Sequence, residues 1–168
     1  MSEHRKPVYP SAPWFNEAVY RIYDDFDGLE LSFEQILRKM KAEFIAERDQ
    51  LRARILEQAC LRSDASSPYK PPQTCPYFLT FRFRDAWLDV YWVKTCFTGD
   101  PASRLRRRLQ LSSGNTSIDV LLEHAHPDEV DTIRRHEERA RLIRQQWKEY
   151  AEIRKKLKSF CSAHIGAE

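Results

Sequence analysis

The stretch Phe78-Leu79-Thr80-Phe81-Arg82-Phe83-Arg84, followed by Asp85-Ala86 and then Trp87-Leu88-Asp89-Val90-Tyr91-Trp92-Val93, decides the fold of this chain. Both runs are rich in aromatic and β-branched residues and alternate with a period of two. Leu79, Phe81 and Phe83 fall on one face of the first run, and Leu88, Val90 and Trp92 on one face of the second. Two strands joined at Asp85-Ala86 are therefore predicted, with an apolar face toward a core. Phe78, Arg82, Arg84, Trp87 and Tyr91 are predicted on the opposite face.

Downstream, Gly99-Asp100-Pro101 breaks the chain before Arg104-Leu105-Arg106-Arg107-Arg108-Leu109. The same period puts Leu105 and Leu109 on the core face, and Arg104, Arg106 and Arg108 on the other. Three strands in succession pair most simply as an antiparallel meander.

Helical spacing surrounds this sheet. Ser11 is placed to cap a first helix with Pro13 in its first turn; Trp14, Val19, Ile22 and Phe26 mark its face, and Asp27-Gly28 is predicted to end it. Ser32 and Gln35 have capping-box spacing. From there Phe33, Ile36, Leu37, Met40, Phe44, Leu51, Ile55 and Ala59 recur at three- and four-residue steps, predicting a second helix to Arg62, on the order of 45 Å long. The stripe weakens at Glu47 and Arg48, so that turn is expected to face solvent. Ser63–Pro76 reads as a linker. Beyond the sheet, Ser112-Ser113-Gly114-Asn115 is a turn, Ile118–Leu122 a short helical turn, and His126-Pro127-Asp128-Glu129 a helix start with proline first and acids in the first turn. Val130, Ile133, Ala140, Ile143, Trp147, Tyr150, Leu157 and Phe160 then mark one face as far as Ser162. The fold class predicted is α+β, with long amphipathic helices flanking a three-stranded antiparallel β-meander. Residues 1–10 are expected as a flexible arm and residues 11–168 as a single α-β-β-β-α domain.

A length of 168 residues suits one domain with one core. Charged residues make up 32% of the chain, yet the net charge is only +3, so a surface for nucleic acid has to come from local segregation of charge. Cys60, Cys75, Cys96 and Cys161 form no CxxC pair, which speaks against thioredoxin chemistry or a zinc ribbon. The first ten residues lack an apolar signal core, and no window approaches a membrane span. A soluble, cytoplasmic protein with free thiols and no membrane partner is expected.

The predicted arginine face carries the functional expectation. Arg82, Arg84, Arg104, Arg106 and Arg108 supply phosphate contacts, and Tyr91 offers a ring for stacking on a base or a guanidinium. The competing reading is a solvated face whose arginines pair with Asp85, Asp89 and helix acids. On the last helix, Arg134, Arg135, Arg139, Arg141 and Arg144 alternate with acids, as a solvated helix does. His124, His126 and His136 near Asp128 and Asp131 are a poor metal signature, and His126 is better read as a residue at the helix cap. No nucleophile elbow, phosphate loop or metalloprotease motif is present. No cofactor, no metal and no enzymatic activity are expected. The alternative to DNA binding is a helical adaptor, or a homo-oligomeric interaction protein, that binds no nucleic acid.

The segment from Phe81 to Lys94, set between an amphipathic helix and a charged helix bearing Ile133-Arg134-Arg135, resembles the MobI-type conjugative transfer proteins. The resemblance extends in layout from Phe15 to Leu157. It implies an accessory mobilisation protein acting with a relaxase at the origin of transfer, with no nicking tyrosine or metal-binding histidine cluster of its own. DNA and a relaxase are the partners it implies; the two long helical stripes leave open whether they pack against each other and the sheet or pair with a second copy as a homodimer.

Overall fold

The computed structural model describes residues 13–62, 72–84, 87–97, 104–108 and 118–164, apart from the side chains at 13–16, 19, 23, 62, 84, 95–97, 104–108 and 162–164. The fold is α+β and mostly helical. In chain order it comprises α1 (Pro13–Arg62), β1 (Tyr77–Arg84), β2 (Trp87–Phe97), β3 (Arg104–Arg108), α2 (Ile118–Leu122), a 3-10 turn (Pro127–Glu129) and α3 (Val130–His164). The expected arm at 1–10, the Ser11 cap and the turns at Asp85-Ala86, Gly99–Pro101 and Ser112–Asn115 lie outside the described residues.

The predicted break at Asp27-Gly28 is overturned: α1 is one helix of 50 residues, about 75 Å long at 1.5 Å per residue. Ser32 is not an N-cap. Its hydroxyl donates to the Gly28 carbonyl one turn back, at 2.9 Å, a bond available only inside a helix. Glycine weakens a helix interior by about 1 kcal/mol, but packing on both sides outweighs that here. Phe26 and Phe33 both meet Tyr150, and Phe33 also packs edge-on against Trp147 at 5.3 Å. Ion pairs from Glu17 to Arg21 and from Glu34 to Arg38 add i,i+4 support.

Helices α1 and α3 run antiparallel. Glu47 pairs with Arg135, Glu43 with Arg139, and Glu30 with Arg154, so positions rise along one helix as they fall along the other. The sheet closes over this pair. Phe44 packs edge-on against Trp92 at 5.2 Å, and Phe83 against Trp147 at 5.0 Å. Leu37, Met40, Leu79, Val90, Trp92, Leu121, Ile133 and Ala140 complete one core among the described residues. Phe160, expected on the apolar face of α3, and Ile22 and Ile36, expected on the apolar stripes of α1, are instead exposed.

Strands β1 and β2 pair antiparallel from Tyr77↔Lys94 to Arg84↔Trp87. The backbone of β3 pairs antiparallel with the far half of β2, from Val93↔Arg108 to Phe97↔Arg104, giving the order β1-β2-β3. Leu79, Leu88, Val90 and Trp92 are buried, as their alternation requires.

The turn at Glu47-Arg48 is not exposed on all sides. Arg48 is buried, stacked 4.1 Å over the Phe78 ring and bonded to Asp49 at 2.8 Å. A guanidinium plane on an aromatic face keeps an apolar contact while its edge stays hydrogen-bonded. Polarity alone therefore misplaces this turn.

Candidate nucleic-acid interface

Cross-strand partners share a face of a sheet. Leu79↔Trp92, Phe81↔Val90 and Phe83↔Leu88 form the core face, so Phe78, Thr80, Arg82, Trp87, Asp89, Tyr91 and Val93 belong to the outer one. Arg82 is exposed there and Trp87 is 78% exposed. Tyr91 is half-buried, and Val93 is buried. Arg82 stands directly opposite Asp89 in the strand pairing. The side chains of Arg84, Arg104, Arg106 and Arg108 lie outside the described residues.

That register separates two groups of arginine positions. Positions 104, 106 and 108 align with Phe97, Thr95 and Val93 on β2, whereas positions 82 and 84 align with Asp89 and Trp87. From 82 to 108 the step is four residues along β2 and two strands across. At about 3.4 Å per residue and 4.8 Å per strand, this is a diagonal of roughly 17 Å. The sequence suggests one compact basic face, while the register sets two groups toward opposite ends of the sheet. Tyr91 lies between them on β2.

The arginines of α3 reach across to α1 more than along their own helix. Arg135 and His136 meet Glu47, Arg139 meets Glu43 at 2.8 Å, and Arg154 meets Glu30 and Asp27. Glu43 is held below the usual carboxylate range by the hydrogen bond from Arg139. His136 is fully buried, with its ring 5.2 Å from that of Phe44, and burial lowers its pKa from the ordinary 6.5. Tyr150 donates to Glu30 at 2.8 Å, and burial pushes its pKa up. These cations bind the two long helices together and are engaged within the protein.

Two buried carboxylates went unforeseen. Glu137 accepts from the Trp92 indole at 2.6 Å and from Arg144, which also donates to the Val90 carbonyl at 3.0 Å. Glu129 accepts the backbone N–H of Cys75 at 2.7 Å and of His126 at 3.0 Å, and Arg52 donates to the Cys75 carbonyl. His126 caps the 3-10 turn by accepting from the Asp128 N–H, as its position suggests. Glu129 is buried, however, and does not merely face the helix dipole from solvent. A signal for these residues was present: His136, Glu137 and Arg144 fall at three- and four-residue steps from Ile133, Ala140 and Trp147, on the stripe that packs inward.

A cavity of about 10 Å³ lies between Phe44, Arg48, Cys75, Tyr77, Glu129 and Ile133, large enough for little more than one water. Burial pushes the Cys75 thiol up, away from the thiolate that nucleophilic chemistry needs. Cys96 lies outside the described side chains. Among the described residues, no group of three or more histidines, cysteines and acids is placed to hold a metal, and no helix is long and apolar enough to cross a membrane. No protein-family model, curated protein or solved structure matches the chain.

Proposed function

We propose that the chain is a cytoplasmic, non-enzymatic DNA-binding accessory protein of bacterial conjugative transfer, acting at the origin of transfer beside a relaxase. One observation carries the DNA-binding part of this reading. The register of β3 gives positions 104, 106 and 108 the same parity as exposed Arg82 and half-buried Tyr91. In a three-stranded meander with that parity the arginine positions follow a diagonal of the sheet, a layout suited to following a phosphate backbone. Trp87, exposed on the same face, extends the ring surface available for stacking. The resemblance of Phe81–Lys94 and of the helix after Glu129 to MobI-type proteins supports the conjugative context.

The test is DNA affinity of the full chain across a salt series. Replacing Arg104, Arg106 and Arg108 together with alanine should weaken binding and reduce the log–log salt slope by about 0.9 for each lost phosphate contact on duplex DNA. Arg82→Ala should lower the slope by no more than one such contact. A triple variant with unchanged circular dichroism and an unchanged slope would reject the reading.

A further inference from the structure

We propose that the chain forms a two-fold homodimer through a strip of exposed apolar residues on the side of the helix pair turned away from the sheet. This does not depend on DNA binding. On α1, Lys41 and Arg48 are seven residues apart and face β1, over the rings of Phe81 and Phe78. Glu43 lies two residues beyond Lys41, about 200° round the helix, and pairs with Arg139. On α3, Glu137 and Arg144 are seven apart and face β2. Arg139 lies two residues beyond Glu137, again about 200° round. The Glu43–Arg139 pair therefore marks the side of the seam opposite the sheet.

Steps of seven along these two rows give Ile36, Leu29 and Ile22 on α1, and Gln146, Ile153 and Phe160 on α3. The antiparallel register of the Glu43–Arg139 and Glu30–Arg154 pairs sets Leu29 near the level of Ile153, and its continuation would bring Ile22 to the level of Phe160. Leu142 adds to the strip from the adjoining row. The six apolar residues are between 41% and 57% exposed. Half-exposed side chains of this size leave on the order of 500 Å² of apolar surface in one strip, within the range that marks functional patches. Two copies face to face would bury about 1,000 Å² of it, which a polar rim brings to the size of a specific interface.

Charge selects a second copy as the occupant. With the two-fold axis parallel to the helices, α1 of one copy lies against α3 of the other in the same register as within the chain. The flanking row of α1 holds Asp25, Ser32 and Lys39, and that of α3 holds Lys156, Glu149 and Leu142, all exposed. Asp25 then meets Lys156 of the second copy, Ser32 meets Glu149, and Lys39 meets Leu142. Opposite charges face each other once in each half, and like charges never do.

Sedimentation equilibrium of the full chain tests this. The unmodified protein should be a dimer at about 100 µM, the range of a modest interface. Leu29→Glu and Ile153→Glu should each give a monomer with unchanged circular dichroism. Asp25→Lys and Lys156→Asp should each weaken the dimer roughly tenfold, since each reversal acts twice per dimer, and together should restore it. A monomeric unmodified protein, a dimer indifferent to changes at Leu29 and Ile153, or a double charge variant weaker than either single one would each overturn the proposal.

Discussion

Replacing Arg144 with methionine isolates the energetics of the carboxylate beneath the sheet. The side chain of Glu137 is 3% exposed and that of Arg144 is 18% exposed. Among the described residues, the substitution leaves the buried carboxylate with the Trp92 indole as its remaining partner. Breaking a buried pair by removing one member costs about 3–5 kcal/mol, and the indole bond keeps the loss toward the lower figure. At that lower figure, a chain of this length should lose roughly 6–12 °C in Tm, at about 2–4 °C per kcal/mol. Urea unfolding, followed by both circular dichroism and tryptophan fluorescence, measures it. Combining Arg144→Met with Glu137→Leu removes the stranded charge and should recover much of the loss, short of the one indole donor left unpaired, which costs about 1–3 kcal/mol. If Arg144→Met alone costs less than about 1 kcal/mol, the level of an exposed ion pair, then Glu137 is not buried as described.

Gly28→Ala should stabilise the protein by about 0.5–1 kcal/mol, because the glycine lies inside α1 and an added Cβ meets nothing within 4 Å; destabilisation in a urea titration would restore the break read from Asp27-Gly28. Stability should decline as pH falls below about 6.5, because burial lowers the folded pKa of His136 and the unfolded chain takes up the proton first. His136→Phe should flatten the dependence of the urea midpoint on pH between about 7.5 and 5. A thiol reagent should label exposed Cys60 quickly, and Cys75 and Cys161 only on unfolding, as a timed mass shift would show. Phe44→Ala should cost about 3–5 kcal/mol in the same urea assay, because the ring touches Trp92 and His136 at once.

The sheet residues were legible because a two-residue period leaves little choice. Leu79, Leu88, Val90 and Trp92 are buried as their alternation dictates. The helical stripes were equally legible at Leu37, Met40, Ile133 and Trp147. What failed were polar residues at inward positions. Arg48 interrupts a hydrophobic pattern only if its guanidinium is treated as a charge in water, and Phe78 makes it a stacked plane. Ser32 looked like a cap because serine favours both a helix start and a bond to the previous turn. Which of the two forms depends on whether Phe26 and Phe33 find partners across the seam, which spacing within one helix does not encode. The arginines of the proposed interface were visible as residue types and as parity, but their displacement along β2 comes from pairing register, a property of two strands and not of one.

Glu129 has a consequence for how the chain reaches its folded state. The carboxylate that fastens the entrance to β1 at Cys75 comes 54 residues later in the chain. A ribosome therefore releases the hairpin well before the group that anchors it. Until the start of α3 emerges, the strands have no fixed seat on α1, and their aromatic side remains uncovered. Truncated chains ending before that glutamate should be aggregation-prone and depend on chaperones.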